Sequence, residues 1–152
     1  MPDPFTFDST SPRYAMPLLF VGQAQKEAWV NEGLARIDAL LHCSVEGERS
    51  DPPASPVNGE AWIVASGATG AWTGKDAMIA ARQADNWLFI TAREGLRVFD
   101  RSLRQERLFT TAWQNPDTPV EPTGGSVVDV EARAVLSELI SALRLSGVFP
   151  DP

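Results

Sequence analysis

The sequence has one cysteine, Cys43, one histidine, His42, one tyrosine and two lysines among its 152 residues. A single cysteine excludes an intrachain disulfide framework, and one Cys with one His excludes the Cys/His zinc modules. A site needing two imidazoles within one chain is excluded as well. Carboxylate, hydroxyl and guanidinium chemistry remains. Long apolar runs are also missing: the stretch 15–21 contains Pro17 and falls far short of the ~20 residues that cross a bilayer. No basic, apolar leader is visible at the start, so the expectation is synthesis in the cytosol without membrane insertion. Positive charge is in the minority, 13 Lys and Arg against 20 Asp and Glu, for a net charge of -7. Nucleic acid and anionic membranes select basic surfaces, so neither is an expected partner. With 43% hydrophobic residues, the chain has one domain's worth of core.

The twelve prolines cluster at 2–17, 52–56, 116–122 and 150–152, leaving three windows for regular structure, 18–51, 57–115 and 123–149. In the first, Val30, Leu34, Ile37 and Leu41 repeat at the spacing of one helical face, which predicts a helix over 23–41. Gly33 weakens that helix unless another backbone must approach it there.

The middle window changes period. Short runs rich in aromatic and branched residues at 61–64, 78–81, 87–90, 96–99 and 107–110 are separated by Gly, Asn, Asp and Ser turns. They predict a small antiparallel, Trp-rich β-sheet curled into a barrel or sandwich. No connection between them is long enough for a parallel crossover helix.

The third window reads as a helix over 126–149, with Ser126 and Asp129 at capping-box spacing and Gly147 with Pro150 at its end. Val135, Leu136, Leu139, Ile140 and Leu143 form its apolar stripe, which must be buried against the chain's own domain or against copies of itself, because an isolated amphipathic helix of this length is not stable in water; in the second case these residues are the expected oligomer interface. The domain plan is an extended arm over 1–17, a helix plus small β domain over 18–115, a linker over 116–125 and the closing amphipathic helix over 126–149. The fold class is α+β.

Each candidate chemical site has a plainer alternative. His42, Cys43 and Ser44 place a base beside two nucleophile types, but adjacent residues at a helix end point apart, so no hydrolytic triad is expected. The loop 67–76 resembles a phosphate loop only superficially: Thr69 stands where its first Gly belongs and Asp76 follows Lys75 in place of Ser or Thr. A glycine-permitted turn that folds Trp72 back onto the sheet accounts for it. Arg93, Arg97, Arg101, Arg104 and Arg107 interleave with Phe99 and Phe109, while Glu94, Asp100 and Glu106 cancel much of their field. Trp72, Trp87 and Trp113, with Arg97, are the candidate contacts to a partner or a glycan. No catalytic residue, metal or cofactor is expected.

The run Gly22-Gln23-Ala24-Gln25-Lys26-Glu27 after a Pro-Leu-rich lead, continued by 31–40, resembles an uncharacterised domain of alphaproteobacterial prophages and gene transfer agents. The resemblance continues at 59–64, 67–74, 87–89 and 93–95, while the tail from Gly124 is similar to the closing helix of phage head-fibre and tail-fibre proteins. It implies a structural virion component, a head spike or fibre base or adaptor involved in attachment to the host surface. The expected partners are further copies of the chain, a trimer first with a pentamer as the alternative, capsid or other spike and fibre proteins, and host surface polysaccharide. A glycan-binding module and, behind it, a polysaccharide-degrading enzyme are the alternatives.

Overall fold

The computed structural model describes Leu19, Gly22, Ala24 and residues 26–83, 85–125 and 129–150. The arm expected over 1–17 and the Ser126 cap lie outside the described residues.

Helix α1 spans Lys26–Leu40. It stops where His42 takes a left-handed φ of 51°, which turns the chain into the first strand. Two four-stranded sheets follow, and the fold is α+β as expected. One sheet has the order β1-β6-β7-β8, with β1 Ser44–Val45, β6 Arg97–Asp100, β7 Gln105–Phe109 and β8 Trp113–Gln114. The other has the order β2-β3-β4-β5, with β2 Glu48–Arg49, β3 Ala61–Val64, β4 Ile79–Gln83 and β5 Asn86–Ile90.

Each sheet is an antiparallel three-stranded meander, as the turn spacing predicted, with one two-residue strand added in parallel at an edge. Those parallel pairs are a departure from the all-antiparallel expectation. They come from a single stretch, 43–49, that crosses from one sheet to the other. Phe99 N–H donates to Cys43 O and Arg101 N–H to Val45 O on one side, while Ile63 N–H donates to Gly47 O and Ala65 N–H to Arg49 O on the other. Gly47, at φ 149°, makes the step.

The inner faces share one core. Val45 and Val98 from the first sheet meet Ile63, Ile79, Ala81 and Ile90 from the second, with Ala39 and Leu40 of α1 packed against the cluster. Strand β3 is buried on both faces, since Trp62 and Val64 point the other way into a second cluster under the loop 67–76. Within that loop a 3-10 turn, Gly70–Trp72, drives Trp72 to zero exposure. Burying an indole of this size removes about 200 Å² from water, which stabilises the fold by about 5 kcal/mol as an upper figure.

Helix α2 spans Val130–Leu145, shorter than the 126–149 expected. Its N-cap is Asp129, whose carboxylate accepts from Ala132 N–H at 2.9 Å, so Asp129 is itself the cap and not the third residue of a capping box. Its end is a Schellman turn: Gly147 N–H donates to Arg144 O and Val148 N–H to Leu143 O, with Gly147 at φ 73°. Gly147 O then accepts from Glu106 N–H at 2.6 Å, fixing the end of α2 to strand β7 beyond the point where β8 stops. Among the described residues no helix is long and apolar enough to cross a membrane.

Candidate functional site

The surface that stands out is apolar and carried by the two helices. In α1 the stripe Val30, Leu34, Ile37 and Leu41 faces outward, with Leu34 58% and Leu41 65% exposed. The spacing in the sequence puts these residues on one helical face without saying what covers it. The sheet side of α1 is instead its small-residue side: Ala39 and Leu40 pack on the core, and Arg36 donates to Phe89 O at 3.3 Å while holding Glu32 at 2.8 Å. A helix seated close against a sheet edge favours Ala at the contact, which leaves its larger residues for the opposite side. Of the alanines in α1, Ala35 and Ala39 are part-buried while Ala28 is exposed.

In α2 the expected interface residues divide. Val135, Leu136 and Leu139 are exposed, Leu143 is half-buried, and Ile140 is 7% exposed and belongs to the chain's own interior. Ile140 therefore stabilises the docking of α2 within the chain rather than offering itself to a partner. Arg133 reaches back to the carbonyls of Pro122 and Gly124, so the linker strand lies along the first turns of the helix.

The candidate contact residues do not form one exposed surface, although two of them touch. Trp72 has no exposed surface and is corrected here to a core residue: it meets Trp87 edge-on at 5.1 Å and Trp62 at 6.3 Å between ring centroids. Trp87 is half-buried, with the Arg82 guanidinium over its ring at 5.2 Å. Trp113 is half-buried on the other sheet, where its ring N–H donates to Ala77 O at 3.0 Å and its face meets Phe109. Arg97 is exposed and paired with Glu106 at 3.2 Å.

The remaining basic residues are engaged too. Arg101 pairs with Glu46 at 2.6 Å, and the buried Arg107 pairs with Glu48 at 2.7 Å and with Asp100 at 3.5 Å, while Arg93 and Arg104 also have partners. A groove free to take a polyanion is not what this arrangement offers.

The loop 67–76 closes on itself. Asp76 accepts from Gly67 N–H at 3.0 Å and Ala68 N–H at 3.1 Å, and these two bonds hold its carboxyl below the usual carboxylate range. The donors that a phosphate would require are already taken. Cys43 is buried, and desolvation pushes its thiol up to about 11, so it is inert. A groove of about 610 Å³ runs between α1 and the β4–β5 hairpin, with Asn31, Leu34, Asp38, Gln83, Asn86 and Trp87 on its walls. Its carboxylate and amides sit on an open, partly apolar surface that continues the exposed stripe of α1.

Comparison with known proteins agrees with the uncharacterised character of the domain. No curated protein matches the chain. The model of a family described as "Protein of unknown function (DUF2793)" matches residues 30–114, a span that covers most of α1, both sheets and the Trp72 loop. More than half of the sequence lies within that match, and the chain belongs to the DUF2793 family.

Proposed function

We propose that the chain is a structural component of a phage-like particle, either a gene transfer agent or a prophage-derived virion, acting as the base or adaptor of a head spike or fibre that attaches the particle to its host. The single observation that carries this reading is the pair of exposed apolar stripes, Val30, Leu34, Ile37 and Leu41 on and just past α1 and Val135, Leu136 and Leu139 on α2, on helices anchored to the sheets through Arg36 and through the turn after α2. Surface of this kind is built to be covered by protein. The prophage and gene-transfer-agent resemblance of 22–40 supplies the setting, and sister copies, with capsid or other spike and fibre proteins, are the partners that fit it. Purifying particles from a producing strain tests this. The chain should sediment with them and label their surface in cryo-electron microscopy; a chain found only in the soluble fraction of lysed cells refutes it.

A glycan-binding reading is supported by one feature, the half-buried Trp87 beside the amides of Asn31, Gln83 and Asn86. Glycan-array binding that disappears in Trp87→Ala would favour it, and an empty array would retire it.

A further inference from the structure

Strand β5 is the last strand of its sheet, and the register of that sheet decides which of its backbone groups face outward. Arg82 N–H donates to Glu60 O and Arg82 O accepts from Gly59 N–H, so Arg82 bonds toward β3, and its neighbours Ala81 and Gln83 bond toward β5. Their partners Leu88 and Asn86 therefore bond into the sheet, while the N–H and C=O groups of Trp87 and Phe89 point away from it. Phe89 O already takes a donor from outside the sheet, the Arg36 guanidinium of α1 at 3.3 Å. Among the described residues nothing pairs with the outward N–H and C=O of Trp87.

That edge opens into the groove of about 610 Å³ between α1 and the β4–β5 hairpin, with Trp87 on one wall and Asn31, Leu34, Ala35 and Asp38 of α1 on the other. An outward N–H and C=O on one residue are both satisfied at once by one residue of another extended chain, which makes a peptide strand the matching occupant. Leu34, Ala35 and Leu88 give such a strand an apolar wall for one of its side chains, and the amides of Asn31 and Gln83 can bond its further peptide groups.

Charge narrows the choice of peptide. Asp38 is exposed and makes no ion pair with a described residue, whereas Glu32 beside it is held by Arg36 at 2.8 Å. Among the described residues no basic side chain lines the groove, and the chain as a whole carries a net charge of -7. A Lys or Arg on the incoming strand is the complement of Asp38. A second copy of β5 fits poorly: Asn86–Ile90 has no cation to offer, and its edge carries its own α1 alongside.

We propose that the groove between α1 and β5 is a docking site for an extended, basic segment of a partner protein, which adds to the four-stranded sheet as a fifth strand beside β5 with its Lys or Arg at Asp38. The groove does this whether or not the chain belongs to a particle, so the two proposals can fail separately.

The probe is a displayed library of random linear peptides, selected on the full chain, with the enriched peptide then synthesised and titrated. The enriched sequences should carry a Lys or Arg. The bound peptide should slow hydrogen exchange at the Trp87 amide, a readout that needs no variant. Asp38→Lys should weaken binding by about fivefold with an unchanged dichroism spectrum, while Asp117→Lys, an exposed acid of the linker, should leave it as it is. A library that yields no binder overturns the proposal, as do enriched peptides without a basic residue, an unchanged Trp87 amide in the complex, or an Asp38→Lys protein that binds as well as the wild type.

Discussion

Asp76 shows how one carboxylate decides what a glycine-rich loop becomes. It fills the two N–H groups of Gly67 and Ala68, closes the loop and presses Trp72 into the sheet. Because its carboxyl titrates below the range it has in the unfolded chain, its charge stabilises the fold fully above the unfolded value, and this is lost as pH falls through the folded one. Asp76→Asn should therefore lower the thermal midpoint at neutral pH, and the gap to wild type should close as the pH falls through the lowered value of the folded carboxyl. Equal midpoints at pH 7 would contradict this. Gln105 has the opposite character: it has no exposed surface, and neither atom of its amide has a hydrogen-bond partner. An unsatisfied buried amide carries a desolvation penalty of about 1–3 kcal/mol. Gln105→Met, close in volume, should move the urea midpoint upward by about 1 kcal/mol of stability, and a clear decrease would show that the amide is satisfied in solution.

At the level of elements, the sequence made the strands legible wherever alternation ran for four or five residues. The runs 61–64, 87–90 and 96–99 fall on or within one residue of β3, β5 and β6, and 107–110 overlaps β7 with its start two residues late. Strands β1, β2 and β8 are two residues each, too short to show a period, and the parallel pairing of the first two depends on a backbone crossing that leaves no side-chain pattern. The two helices were legible as elements but only in part as faces. The stripe on α1 was found by spacing alone, because periodicity identifies an apolar face without saying what covers it. The α2 stripe was read correctly as a row, but Ile140 belongs to the interior, which depends on how the Schellman turn at Gly147 directs the helix. Gly147 is held at φ 73°, and a Cβ there would lie 3.4 Å from the Phe99 ring. Gly147→Ala should destabilise by about 1–2 kcal/mol from backbone strain alone. Its effect should be local, with hydrogen exchange accelerating at the Glu106 amide that bonds Gly147 O, while protection in β3 and β4 changes little.

Across the whole molecule, two unlike forms of cohesion hold the sheets together. One end of the shared core is apolar, around Val45, Ile63, Ile79 and Val98. The other end is ionic: Arg107 of β7 bridges to Glu48 of β2 across the sheets and to Asp100, whose second oxygen accepts from Ser102 N–H, Ser102 Oγ–H and Leu103 N–H. Asp100 is 1% exposed, so removing its cation leaves a buried charge with only the turn to stabilise it. Arg107→Ala should lower unfolding stability by about 3–5 kcal/mol, whereas Arg97→Ala, which breaks an exposed pair, should lower it by less than about 1 kcal/mol. Denaturant curves that gave the two variants equal losses would mean that the bridge between the sheets contributes no more than a surface contact. The same division bears on α2, which is tied to β7 by a backbone bond beside the ionic bridge, Glu106 N–H donating to Gly147 O, and which buries Ile140. A chain ending at Pro122 should therefore keep both sheets and α1, with a lowered thermal midpoint as Phe99 and the β7 edge are uncovered.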